Sequence, residues 1–98
     1  MTIELGRFDA AEYLTDPQDQ AERLDEAFAS GDARFTAHAL GMIARACGMT
    51  ELATATGLKR QALYRALSAN GNPTLETLLK VMKALGLDLV VKVTPAAT

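Results

Sequence analysis

Apolar residues recur at spacings of three and four along most of this chain, a pattern that predicts amphipathic α-helices. The first clear stripe predicts a helix over 17–29, because Asp16 can cap it, a proline can occupy its first position and Gly31 can end it. The apolar stripe of this helix consists of Ala21, Leu24, Ala27 and Phe28.

A second helix is predicted over 33–46, with Asp32 as its cap and Gly48 as its end. A short third helix is predicted over 51–56, and Thr50 is its predicted N-cap because a hydroxyl can accept from the unpaired N–H groups of a first turn. The apolar residues predicted to face inward from the second helix are Phe35, Ala39, Leu40, Ile43 and either Ala46 or Cys47.

A fourth helix is predicted over 60–68, and the turn residues 70–73 close it. A fifth helix then runs from Thr74 to Gly86. Its predicted inward residues are Leu75, Leu78, Leu79, Met82 and Leu85. The apolar period changes to two over 87–93, which is typical of a strand. The sequence therefore predicts an all-α fold of five helices with a short C-terminal β-strand.

The predicted strand needs a partner, since an unpaired strand leaves its N–H and C=O groups without hydrogen bonds. Pairing with the same strand of a second copy would make a homodimer; pairing with residues 2–5 of the same chain is the alternative. The apolar residues assigned to the strand are Leu87, Leu89, Val91 and Val93.

Residues 8–14 are predicted to form one or two further helical turns.

The third and fourth helices have the pattern of a helix-turn-helix motif. Two helices joined by a tight turn cross closely, which requires a small residue in the first helix and a residue that tolerates positive φ in the turn. Ala53 and Gly57 meet these requirements, while Leu58 and Leu63 supply apolar packing beside the turn and on the second helix.

The outer face of the fourth helix carries Arg60, Gln61, Tyr64, Arg65 and Ser68 and no acidic residue. Arginine can donate twice to guanine, glutamine can pair with adenine, and tyrosine or serine can reach phosphates or base edges. This face is predicted to read the major groove of DNA, whereas the alternative is an ordinary solvated surface. Lys59, at the start of the helix, and Thr50 complete the candidate DNA contacts.

Charge is divided unevenly along the chain. Residues 1–32 carry nine acidic and two basic residues, while residues 33–98 carry three acidic and eight basic ones. Such a split suggests a basic surface for phosphates and an acidic surface for a basic protein, although solvated helix faces would look the same.

Enzyme chemistry is not expected from this sequence. His38 has no evident Ser or Cys partner, Cys47 is the single cysteine, and there is no glycine-rich phosphate loop. His38 and Cys47 are predicted to be packing or surface side chains. The sequence predicts no metal site and no cofactor. No apolar run approaches the length of a membrane span and no secretory signal is evident, so a cytoplasmic protein is expected.

Several segments together resemble the Xre/Cro-type antitoxins of bacterial addiction modules, the HigA-like addiction module antidote group. The segments that carry the resemblance are 7–14, 49–58, 62–68, 71–73 and 78–87, so it covers nearly the whole chain. One departure is Lys59, where the group commonly has a small hydroxyl residue that caps the recognition helix.

The resemblance implies a lambda-repressor-like helix-turn-helix protein that represses its own operon and neutralises a RelE/ParE-like toxin encoded beside it. Residues 1–31 are the candidate toxin-binding segment, and residues 32–98 the DNA-binding domain with its dimerisation strand. The expected partners are a double-stranded DNA operator, the cognate toxin and a second copy of the chain. A stand-alone Xre-type regulator without a toxin is the alternative.

Overall fold

The computed structural model describes residues 15–68 and 70–95. Within these residues the chain forms five α-helices and no β-strand, so the predicted helical fold is confirmed for the part described. The helices are α1 (Pro17–Ser30), α2 (Ala33–Cys47), α3 (Met49–Thr56), α4 (Arg60–Ala66) and α5 (Leu75–Ala84). The predictions for residues 2–5 and 8–14 lie outside the described residues.

Three helices begin with a side-chain cap, and the sequence predicts two of these caps, Asp16 and Asp32. Asp16 accepts a hydrogen bond from the backbone N–H of Gln18 at 3.1 Å, directly before the proline that starts α1. Asp32 accepts from two first-turn N–H groups of α2, and Thr74 accepts from one backbone N–H group of α5, that of Thr77. Each cap satisfies N–H groups that have no partner inside the helix and so fixes where the helix starts.

The predicted cap of α3 is wrong. This helix begins at Met49, one residue before Thr50, and Gly48 occupies its N-cap position without a side-chain hydrogen bond. Met49 is only 5% exposed and belongs to the core. Burial of this side chain offers a physical reason for the early start, and it leaves Thr50 exposed inside the first turn.

One hydrophobic core joins all five helices. Its largest fully buried side chains are Leu40, Ile43, Leu63, Leu67 and Val81. Leu24 and Ala27 of α1 belong to the same cluster, and α1 packs along α2. The first described helix is therefore an integral part of the domain that carries α3 and α4.

Three apolar residues predicted to face inward are exposed instead: Phe35 at 42%, Leu75 at 67% and Leu79 at 46%. In α5 the buried side chains, Val81 and Met82, lie in the second half of the helix. Leu75 is near Met82 on a helical wheel but is the first residue of α5, about two turns earlier, and Leu79 lies at the edge of the buried face. The apolar face of α5 is larger than the surface that its described neighbours cover. The apolar spacing in the sequence therefore predicts more buried residues in α5 than the structure has.

The predicted C-terminal strand is not formed in the described part of this single chain. Leu87 packs against the core and its N–H donates to the carbonyl of Met82 at 2.9 Å. Leu89 is 44% exposed, and Val91 and Val93 are 94% and 95% exposed. A strand exists only through ladder hydrogen bonds to a second segment, and none of the described residues provides that segment.

None of the described helices has both the length and the apolar character needed to cross a membrane.

Candidate nucleic-acid interface

A three-residue turn, 57–59, joins α3 to α4. Gly57 adopts φ 76°, in the left-handed region, and its N–H donates to the carbonyl of Ala53 at 2.9 Å, which ends α3. A residue with a side chain would be strained at this φ, so the glycine permits the sharp change of direction. Leu63 is fully buried, and Leu58 and Ala53 pack against the same core.

This arrangement leaves the outer face of α4 open to solvent. The exposed side chains among the predicted DNA contacts are Thr50, Lys59, Arg60, Gln61, Tyr64 and Arg65. Ser68 is half-buried just beyond the helix, and its Oγ donates to the carbonyl of Arg65 at 3.0 Å. The predicted contacts therefore occupy one accessible surface of α4 and its ends, with Thr50 on the preceding helix.

The start of α4 lacks a side-chain cap. Lys59 occupies the N-cap position with φ −72° and ψ 141°, and no side chain there accepts from the first-turn N–H groups. A lysine has no acceptor atom, and its positive charge lies at the positive end of the helix dipole. Stability at this helix end is thus lower than a hydroxyl or carboxylate residue would provide.

Sequence reasoning missed one basic residue of this surface, Arg45 in the last turn of α2. Its guanidinium carbon lies 6.0 Å from the centre of the Tyr64 ring, and that of Arg60 lies 5.7 Å from the same centre. The signal available in the sequence was a lone cation three residues before Gly48, just ahead of the helix-turn-helix pattern.

The close approach of α2 to the end of α4 depends on Gly41. A Cβ atom at this position would collide with the carbonyl oxygen of Leu67 and lie 3.1 Å from a guanidinium nitrogen of Arg45. The missing side chain therefore makes room both for the backbone after α4 and for the arginine. Arg45 is in this way held beside the outer face of α4.

The exposed surface of α1 has the opposite charge. Glu22, Asp25 and Glu26 are exposed and Asp19 is half-buried. The helix packs on α2 through Leu24 and Ala27, so these carboxylates lie away from its packed side. The charge split seen in the sequence therefore falls on separate helices.

The single histidine and the single cysteine are both exposed on α2. Cys47 accepts a hydrogen bond at its Sγ from the side-chain amide of Gln20, which lies 3.3 Å away and is buried. This contact ties the start of α1 to the end of α2. Cys47 therefore has a structural role in the described fold, as the acceptor of this hydrogen bond.

Over residues 15–68 and 70–95, these features define a small helical domain in which one helix exposes carboxylates and another is basic and free of acidic residues. A family model described as "Probable addiction module antidote protein" matches residues 4–93. The chain is 44% identical over 92 residues to an uncharacterized protein from Haemophilus influenzae, with 94% of this chain and 95% of the relative covered. No solved structure matches it. The chain belongs to the probable addiction module antidote protein family.

Proposed function

We propose that this chain is a sequence-specific DNA-binding antitoxin of a type II toxin–antitoxin module, which represses its own operon and neutralises a RelE/ParE-like toxin. Family membership supports the antitoxin role. The observation that carries DNA binding is the acid-free outer face of α4, whose two arginines, glutamine and tyrosine are all exposed.

In this proposal α3, the turn and α4 form an Xre/Cro-type, lambda-repressor-like helix-turn-helix motif. Arg65 can donate two hydrogen bonds to a guanine, Gln61 can pair with adenine, and Arg60, at the start of α4, can contact the phosphate backbone. Tyr64, Ser68, Lys59 and Thr50 contact phosphates or base edges at the margins of the groove. The buried Leu63 holds α4 on the core while its opposite face enters the major groove.

The test is the affinity of the protein for a duplex that covers the region upstream of its own gene, measured over a series of salt concentrations. Phosphate contacts release counterions, so the logarithm of affinity should fall steeply as the logarithm of salt concentration rises. An unrelated duplex of equal length is the control for sequence specificity. Affinity that does not respond to salt would contradict DNA binding.

The protein acts on DNA as a homodimer in this proposal, with Leu87, Leu89, Val91 and Val93 forming the dimer strand. The high exposure of Val91 and Val93 in a single chain supports it, because pairing with a second copy would cover apolar surface and satisfy the backbone groups. A twofold dimer would separate two recognition helices by about 34 Å, one turn of DNA, and match a palindromic operator.

Substitutions in the dimer strand test this pairing through the mass of the protein in dilute solution. V91K should yield a monomer, because Val91 lies on the same face of the strand as the other residues assigned to the dimer. V90K is the matched control, since Val90 is also exposed, at 77%, but points to the other side of an alternating strand. A wild-type protein that is already monomeric would refute the dimer.

The toxin surface is proposed to lie within residues 1–31, and its described part is α1. Because Leu24 and Ala27 belong to the common core, charge reversal at the surface is a cleaner test than deletion. E22K with E26K should weaken capture of the co-expressed toxin while DNA affinity is retained. E76K, on α5, is the control, and a double variant that holds the toxin as tightly as wild type would refute this surface.

The alternative is a stand-alone Xre-type regulator with the same DNA-binding half. A neighbouring open reading frame for a small basic protein, which co-purifies with this chain when both are expressed, favours the antitoxin. The absence of such a frame favours the lone regulator.

A further inference from the structure

Two arginines from different helices converge on one aromatic ring at the edge of the candidate interface. The guanidinium carbon of Arg60 in α4 lies 5.7 Å from the centre of the Tyr64 ring, and that of Arg45 in α2 lies 6.0 Å from it. Both arginines are exposed, and neither forms an ion pair with another described residue. Two like charges thus lie near one ring with no carboxylate to neutralise them.

The position of Arg45 is set by the packing beneath it. Gly41 lies one turn earlier in α2 and is buried against the carbonyl of Leu67, and a guanidinium nitrogen of Arg45 lies over the same glycine. Since Leu67 immediately follows α4, this crossing fixes the end of α2 relative to the recognition helix. The backbone that carries Arg45 is therefore packed directly against the end of α4.

We infer that Arg45, Tyr64 and Arg60 form an arginine clamp, a site that binds a backbone phosphate of duplex DNA beside the helix-turn-helix motif. A guanidinium group presents planar donors that match the oxygens of a phosphate, and an aromatic face orients it. The phosphate supplies the negative charge that no described side chain supplies. This inference rests on the proposed DNA binding and adds a contact from α2, outside the motif.

A phosphate contact has a different signature from a base contact, because it carries no sequence information. Loss of Arg45 should weaken binding to the upstream duplex and to an unrelated duplex by the same factor. The slope of log affinity against log salt should become shallower by about 1 for each Arg45 that contacts DNA. Near physiological salt, one such contact corresponds to a loss of about five- to tenfold in affinity.

The experiment compares wild type with R45Q, R45K and R34A on both duplexes over a salt series. R45Q keeps most of the side-chain stem but removes the charge, and R45K keeps the charge, so R45Q should flatten the slope and R45K should retain it. R34A is the matched control, because Arg34 is an exposed arginine at the opposite end of the same helix. Circular dichroism and thermal unfolding confirm that each variant is folded.

An R45Q protein with the wild-type slope would overturn the clamp and leave the proposed function intact. So would an R45Q protein that loses discrimination between the two duplexes while its slope is unchanged, because Arg45 would then read bases. A wild-type protein that binds neither duplex would overturn both the clamp and the proposed DNA binding. A uniform loss with a shallower slope, absent in R34A, supports the clamp.

Discussion

The helices α1 and α4 belong to one core and yet are built in opposite ways. α1 has 14 residues, a side-chain cap from Asp16 and a proline at its first position, and it exposes carboxylates. α4 has 7 residues, no side-chain cap at Lys59 and no acidic residue, and Leu63 is its buried side chain. Short helices are marginal in water, so α4 depends on tertiary packing far more than α1 does.

α1 is therefore stabilised by contacts within its own first turn, whereas α4 lacks such contacts. A capped, acidic helix is suited to contact with a basic protein surface. An uncapped, basic helix is suited to a polyanion, and it is held in place by the buried Leu63, by the buried Leu67 at its end and by the crossing at Gly41. Four substitutions test the comparison, from the largest expected effect to the smallest.

The substitution L63A should have the largest effect. Leu63 is fully buried, so its truncation removes apolar contacts and leaves a cavity, and the free energy of unfolding should fall by about 2–5 kcal/mol. Urea unfolding followed by circular dichroism measures the change. The exposed R65A variant serves as the reference, and an equal loss in both would contradict the dependence of α4 on this contact.

R65A should lower affinity for the specific duplex by about 1–3 kcal/mol, because a bidentate contact to guanine is lost. The loss on an unrelated duplex should be smaller, and the stability of the fold should be nearly unchanged since Arg65 is exposed. Binding measured at one fixed salt concentration gives the comparison. Equal losses on both duplexes would reassign Arg65 to the phosphate backbone.

D16A should destabilise the protein by about 1 kcal/mol, because the hydrogen bond from the N–H of Gln18 to the carboxylate of Asp16 is removed. D16N is the control that keeps an acceptor at the same place, and it should unfold close to the wild-type midpoint. If D16N loses as much as D16A, the charge rather than the cap stabilises α1.

K59S should have the smallest effect of the four substitutions, a small increase in stability. A serine hydroxyl can accept from the first-turn N–H groups of α4, so the free energy of unfolding should rise by about 0.5–1 kcal/mol. K59A, which supplies no acceptor, should show little of this gain. Thermal unfolding of the two variants side by side measures the difference, and identical midpoints would mean that α4 does not need a cap.

Much of the fold is encoded locally and was predictable. The caps Asp16 and Asp32 act within one turn of their own position, so residue type and spacing suffice to identify them. The cap at Thr50 was mispredicted because burial of Met49, a tertiary effect, sets the start of α3 instead. Capping preferences therefore locate a helix start correctly unless burial of a neighbouring residue, such as Met49, moves that start.

The candidate site was predictable on α4 and not beyond it. The wheel positions of Arg60, Gln61, Tyr64 and Arg65 follow from the period of the helix once Leu63 is inward. The position of Arg45 beside Tyr64 depends on how α2 crosses the end of α4 at Gly41, and no sequence period encodes that crossing.

The sequence by itself determined the helices, the caps at Asp16 and Asp32, the α3–α4 turn and the separation of acidic from basic residues, because each depends on neighbours within a few positions. Only the tertiary structure decided which apolar residues are covered: Leu63 is buried, while Leu75 and Val91 are exposed. Burial depends on segments distant in sequence, and residues 87–95 remain without a partner strand among the described residues of one chain.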